Sequence, residues 1–107
     1  MPRVTLVRYT AKSDRANENE ALSRAVFAEL HRTTPVNVAY GLFRKGDDFV
    51  HLFVNLDNDD SSAVTELPTF KAFSKDADSR YVAPPQVERL SLELVASYGF
   101  AGAMAPA

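Results

Sequence analysis

The sequence predicts an α+β fold of the ferredoxin-like type, β-α-β-β-α-β, on three observations. Residues 3–10 and 49–56 run as β-branched and aromatic segments with a period of two, residues 22–30 carry a stripe of helical period, and Pro35, Gly46-Asp47-Asp48 and Pro84-Pro85 separate the elements. Two split β-α-β units then give a four-stranded antiparallel sheet with both helices on one face, because crossovers between parallel strands are right-handed in about 98% of cases.

The first strand is Arg-Val-Thr-Leu-Val-Arg-Tyr-Thr at 3–10, ending near Ala11. Ser13 or Asp14 can cap the helix that follows, and Asn17 with Glu20 offers an asparagine version of the capping-box spacing. Leu22, Ala25, Val26, Glu29 and Leu30 make its stripe, flanked by Phe27, and the helix runs to about Arg32 before Pro35 closes it. Residues 37–45 resume period-two patterning and form a hairpin with 49–56 across Gly46-Asp47-Asp48.

In 49–56 both faces are largely apolar. Val50, Leu52, Val54 and Leu56 line one, and Phe49, His51, Phe53 and Asn55 the other. Helices can cover one face only, so a second copy of the chain is expected on the other, as a homodimer through the sheet face. After the polar stretch 57–62, Thr65 can cap a second helix with Glu66 in its first turn, Pro68 tolerated early, and Leu67, Phe70 and Phe73 on one side. Residues 74–81 read equally as a helical piece or a loop. The last strand is expected over Arg89 to Tyr98, with Leu90, Leu92, Leu94 and Ala96 alternating against Ser91, Glu93, Val95 and Ser97. Residues 1–98 are thus expected as one domain, and 99–107 as a flexible tail of small residues.

Composition narrows the function classes. The 107 residues are 46% hydrophobic and 24% charged with a net charge of −2, so nothing in the charge balance points to nucleic acid or to an anionic membrane. The absence of cysteine excludes disulfides, thiol nucleophiles, Cys-ligated zinc and Fe–S clusters. Met1-Pro2-Arg3 leads straight into a strand and no run nears the ~18–20 apolar residues of a membrane span, so an unprocessed, soluble, cytoplasmic protein is expected. The chain contains no G-x-S-x-G, phosphate-binding glycine loop, paired-His metal spacing or Rossmann fingerprint. Asp57, Asp59 and Ser61 alternate as in a calcium loop, but Ser62 and Pro68 stand where an EF-hand needs Gly and Glu.

With this order in place, Glu66-Leu67-Pro68-Thr69-Phe70-Lys71-Ala72-Phe73, Pro84-Pro85 and the leucine-rich final segment resemble the antibiotic-biosynthesis monooxygenase-like group of dimeric α+β barrels, over residues 3–98. The resemblance implies a homodimer whose sheets close a barrel, with a ligand cleft between helices and sheet in each subunit. It also implies chemistry that ranges from cofactor-independent oxygenation of aromatic compounds and haem degradation to small proteins of unassigned role. The chain lacks the Trp frequent on the third strand, where Phe53 or a neighbour stands, and has Thr69 where many relatives place a His. Both departures count against haem degradation, and neither a cofactor nor a metal is expected.

His51 is the candidate general base, since an imidazole in an apolar strand titrates near neutrality; its alternative is a core histidine with a hydrogen-bond partner. Tyr9, Tyr40, Phe53, Phe70, Phe73 and Tyr98 are candidate ligand contacts, the phenols as donors to a carbonyl or, alternatively, as packing residues with one wet end. His31 is expected in solvent, and Arg8 holds an anionic ligand or forms an ion pair between subunits. Three functions stay open: a cofactor-independent oxygenase acting on an aromatic small molecule, a binding or accessory dimer without turnover, and an assembly piece whose only role is its sheet interface.

Overall fold

A computed structural model describes residues 2–56 and 62–99. The elements are β1 (Arg3–Thr10), α1 (Ala16–Thr33), β2 (Val38–Lys45), β3 (Asp48–Asn55), α2 (Ser62–Thr65), α3 (Pro68–Ser74), α4 (Ala77–Arg80) and β4 (Gln86–Ser91). The strands form one sheet in the order β2-β3-β1-β4 with every neighbouring pair antiparallel, the ferredoxin-like arrangement. Gly46, with φ of 61°, supplies the positive φ that the two-residue turn between β2 and β3 requires.

The register sorts side chains into rows across the sheet. On the face beneath the helices, Tyr40, Phe53, Thr5 and Arg89 form one row, and Leu42, His51, Val7 and Val87 the next. The alternation expected in β3 holds, since Phe49, His51, Phe53 and Asn55 are all buried on this side. The opposite face carries Ala39, Val54, Val4 and Leu90 in one row, and Gly41, Leu52, Leu6 and Glu88 in another. Val4, Leu6, Val50 and Leu52 are only half-buried there, and Phe43 is 61% exposed.

Two clusters make the core. Tyr9, Ala11, Ala16, Phe49 and Tyr81 pack at one end of the helix-bearing face, while Val26, Phe53, Val64 and Phe73 pack at the other with Leu22, Leu30, Val38, Tyr40, Leu67 and Phe70 around them. α1 buries Ala16, Asn19, Ser23 and Val26, a stripe rotated from the expected one so that Ala25 is exposed. The small Ala16 and Ser23 let the helix close on the sheet, and Asn19 is tolerated because its amide is hydrogen-bonded at both ends.

Neither expected cap forms. Arg15 is the N-cap residue with no side-chain cap bond, and its guanidinium instead forks onto Glu18 at 2.7 and 3.1 Å. Asn17 lies inside α1 and accepts from Arg44 at 3.1 Å. The helix stops at Thr34, whose left-handed φ of 44° still lets its N–H reach Leu30, and Pro35 prevents continuation.

The second helix is divided. Thr65 ends α2 rather than capping a longer helix, and α3 starts at Pro68 after an extended Leu67, because the residue before a proline is pushed out of the helical region. Residues 77–80 of the ambiguous segment form the short α4. The final strand begins at Gln86, just after Pro84-Pro85, and ends at Ser91, where its partner β1 runs out at Arg3. Leu92 keeps one bond, to the Pro2 carbonyl at 2.9 Å, and residues 93–99 are exposed. Arg8 pairs with Glu88 of the same chain at 3.1 Å, not across subunits, since register brings the two beside each other on the outer face. His31 is exposed. Asp57, Asp59 and Ser61, and the expected tail from 100 onward, lie outside the described residues.

Phe49 joins the strands to this core, 1% exposed and stacked on Tyr9 with centroids 5.5 Å apart. Phe49→Ala is expected to lower unfolding stability by about 3–5 kcal/mol, read as a shift of the urea midpoint at unchanged slope.

Candidate functional site

A cavity of about 210 Å³ lies between the sheet and the α2–α4 segment. Its wall includes Tyr9, Tyr40, His51, Phe53, Phe70 and Phe73, together with Val64, Thr65, Tyr81, Arg3 and Arg89. Sheet register explains the gathering, since Tyr40 and Phe53 share one row and His51 stands in the next, all on the helix-bearing face. α3 contributes Phe70 and Phe73, and is docked to α1 by Glu29, which accepts from the Thr69 hydroxyl at 2.5 Å and its N–H at 3.2 Å. Thr69 thus anchors a helix. The structure leaves Tyr98 apart, 94% exposed beyond the end of β4.

Hydrogen bonds run in one line behind this wall. Arg80 Nε donates to Asn19 Oδ1 at 2.9 Å, Asn19 Nδ2 donates to the Tyr9 hydroxyl at 2.7 Å, and that hydroxyl lies 2.7 Å from His51 Nε2. On the far side of the imidazole, Nδ1 is 2.8 Å from the Tyr40 hydroxyl. The amide orientation follows from the first member. A guanidinium only donates, so the Asn19 oxygen must face it and the amide nitrogen must face Tyr9. The Tyr9 oxygen accepts that bond, and its own proton goes to Nε2 or to Tyr81 according to the tautomer of the ring. In the tautomer that accepts at Nε2, the neutral ring carries its proton on Nδ1 and donates it to Tyr40, whose own proton is left for a partner at the cavity.

Burial governs the titration of these groups. It pushes the His51 imidazole down from 6.5 to about 4, so the ring is neutral at physiological pH. It also raises the Tyr9 phenol, against the opposing Asn19 hydrogen bond, and raises the Tyr40 phenol. Tyr81 is raised by burial too, with the Tyr9 hydrogen bond and the Arg80 charge pulling the other way.

The arrangement can hold a flat apolar molecule against Phe53, Phe70 and Phe73 and offer its oxygen a phenolic donor. Asn19, Ser23, Arg80 and Tyr81 belong to this site or its support and escaped the sequence reading. Asn19 did carry a signal, lying at helical spacing between Ala16 and Ser23, with Val26 beyond. Arg80 and Tyr81 lay in the ambiguous segment and gave none. Among the described residues, no three His, Cys, Asp or Glu side chains gather as metal ligands would, and no helix is long and apolar enough to cross a membrane.

The four-stranded antiparallel sheet with helices on one face is a fold the chain shares with solved antibiotic-biosynthesis monooxygenase-like proteins. The chain is similar to Rv0793 of Mycobacterium tuberculosis, at 17% identity and a TM-score of 0.72 over 91% of this chain and 100% of that one. It is similar also to a Nitrosomonas europaea protein classed with the antibiotic biosynthesis monooxygenases, at 16% identity and 0.70 over 83% and 88%. A third is SnoaB of Streptomyces nogalater, a cofactor-independent oxygenase solved as a point variant, at 18% identity and 0.64 over 87% and 94%. At such identities the likeness is one of fold. No family model matches the sequence, and no curated protein is similar to it.

His51 sets a pH dependence. The unfolded chain, with the imidazole back at 6.5, binds a proton that the folded chain refuses until about pH 4. Stability is therefore full above the upper value and falls as pH drops between the two, by on the order of 3 kcal/mol. Denaturant titrations from about pH 7 to about pH 4 are expected to show this loss in the wild type and a shallower one in His51→Gln.

Proposed function

We propose that the protein is a homodimer that binds an aromatic small molecule in the Tyr40–His51–Phe73 cavity and oxidises it with dioxygen, without a bound cofactor. The observation that carries this reading is the meeting of a phenol–imidazole–phenol line with a wall of phenylalanines on one cavity. The fold shared with a cofactor-independent oxygenase supports it.

In this reading a ring CH2 beside a carbonyl loses a proton, and Tyr40 donates a hydrogen bond to the enolate oxygen, stabilising the anion in a dry site. The carbanion gives electrons to dioxygen and a C–O bond forms. The peroxide takes up the proton, and loss of water leaves a new carbonyl, so that CH2 and O2 become C=O and H2O. His51 is the candidate base for the first step. Both of its nitrogens meet phenols, so in the tautomer that accepts at Nε2 it receives the proton through Tyr9 rather than by touching carbon. The carbanion formed is the counter-charge that a buried imidazolium otherwise lacks.

The same engagement of both nitrogens, with an imidazole held neutral down to about pH 4, favours a second reading, a dimer that binds without turnover. Oxygen uptake with a panel of anthrones and naphthols separates the two. Turnover that falls at least about tenfold in both His51→Ala and Tyr40→Phe is expected for the oxygenase, within the usual range for acid–base groups. Saturable binding with no oxygen consumed and the ligand recovered unaltered would leave the binding reading standing.

The homodimer rests on the outer face of the sheet, where Val4, Leu6, Val50, Leu52, Phe43 and Leu90 stay partly or largely open in the single chain. Each such side chain, once buried, contributes about 1.5–3 kcal/mol. Sedimentation equilibrium is expected to give twice the 11.8 kDa chain mass, and Leu52→Glu to give the single chain.

A further inference from the structure

The cavity wall is polarised in charge. Among the described residues that line it, the charged ones are Arg3 and Arg89, and no Asp or Glu is present. The two arginines stand on neighbouring strands one row apart, Arg89 opposite Thr5 and Arg3 opposite Ser91, so both guanidiniums belong to the β1–β4 side of the same face. Tyr40 occupies the other end of the row that holds Arg89, three strand spacings away, roughly 14 Å across the sheet.

A third positive charge lies behind the wall. Arg80 is 1% exposed, with Asn19 Oδ1 and the Phe73 carbonyl as its acceptors at 2.9 and 2.7 Å, and it forms no ion pair among the described residues. Its guanidinium carbon sits 5.0 Å from the Phe73 centroid and 5.9 Å from that of Tyr81, two rings that face the cavity. Cations of one sign around a low-dielectric cleft focus a positive potential into it, which favours an anionic occupant.

We propose that the ligand is an aromatic acid, its carboxylate held by Arg89 beside Arg3, its ring against Phe53, Phe70 and Phe73, and its oxygen substituent at Tyr40. This rests on the reading of the cavity as an aromatic-binding site and adds the charge and the orientation of what enters. Guanidinium is suited to the end position because its planar fork matches a carboxylate with two parallel hydrogen bonds. The elongated row, with a donor phenol at one end and cations at the other, fixes which way round the molecule lies. The reacting carbon is thereby placed at the Tyr40–His51 end.

Calorimetric titration with 6-hydroxy-2-naphthoate and with its methyl ester tests the proposal, since the two share the ring and the hydroxyl and differ in charge. The acid is expected to bind at least about tenfold more tightly than the ester, and the advantage to shrink as KCl is raised. Arg89→Gln, on an exposed edge-strand residue, is expected to erase most of that preference while ester affinity stays within about twofold of wild type. Arg3→Gln is the second variant, with circular dichroism and ester affinity confirming an intact fold. Equal affinities for acid and ester in the wild type, or a preference that survives in R3Q/R89Q, would overturn the anionic assignment and leave the aromatic site standing. Failure of both molecules to bind would remove the aromatic site as well.

Discussion

The guanidinium of Arg80 is the fixed point of this molecule. It is buried with no carboxylate among the described residues bonded to it, and its hydrogen bonds to Asn19 and to the Phe73 carbonyl are what make that burial tolerable. From it, one line of hydrogen bonds passes through Asn19 on α1, Tyr9 on β1, His51 on β3 and Tyr40 on β2. Each helix or strand along the cavity is therefore tied to the next by a group that would be orphaned if its neighbour moved. Because the first member can only donate, the orientation of the Asn19 amide and its bond to Tyr9 are imposed. A cavity wall made of Phe and Val alone would pack as well but would not fix the orientation of its polar atoms.

That line also explains why a histidine and two tyrosines are tolerated under the helices. Tyr9 stacks on Phe49 and on Tyr81, with centroids 5.5 and 4.0 Å apart, so its ring serves the core while its oxygen serves the network. The two roles meet at the seam between the core clusters, one centred on Tyr9 and Phe49 and the other on Phe53 and Phe73. His51 sits between them, in ring contact with Tyr9, Tyr40 and Phe73. The reactive part of the cavity is thus the place where packing is least apolar.

Strand positions were legible because period-two alternation and turn chemistry are local. Residues 3–10 and 37–45 need no tertiary information, and the Gly46 turn fixes their hairpin with β3. The sheet face that carries His51 follows from the same alternation once the side bearing α1 is known. What could not be read depends on partners far away in the chain. Asn19 looks like a surface residue until Arg80 and Tyr9 are placed beside it, and the true stripe of α1 was missed for that reason. The last strand was set too late, because its end is decided by where β1 stops rather than by its own leucines. Of the candidate contacts, those on the helix-bearing face or on α3 came together, whereas Tyr98 lies past the last pairing and has no strand to direct it.

The chain contains no tryptophan and has four tyrosines, of which Tyr9, Tyr40 and Tyr81 border the cavity. Three of its four tyrosine chromophores therefore border the place where a guest would sit. Filling that space with a conjugated molecule would quench their emission by energy transfer, while Tyr98 would supply a constant solvent-side background. The protein carries its own optical reporter of occupancy and needs no dye or engineered label.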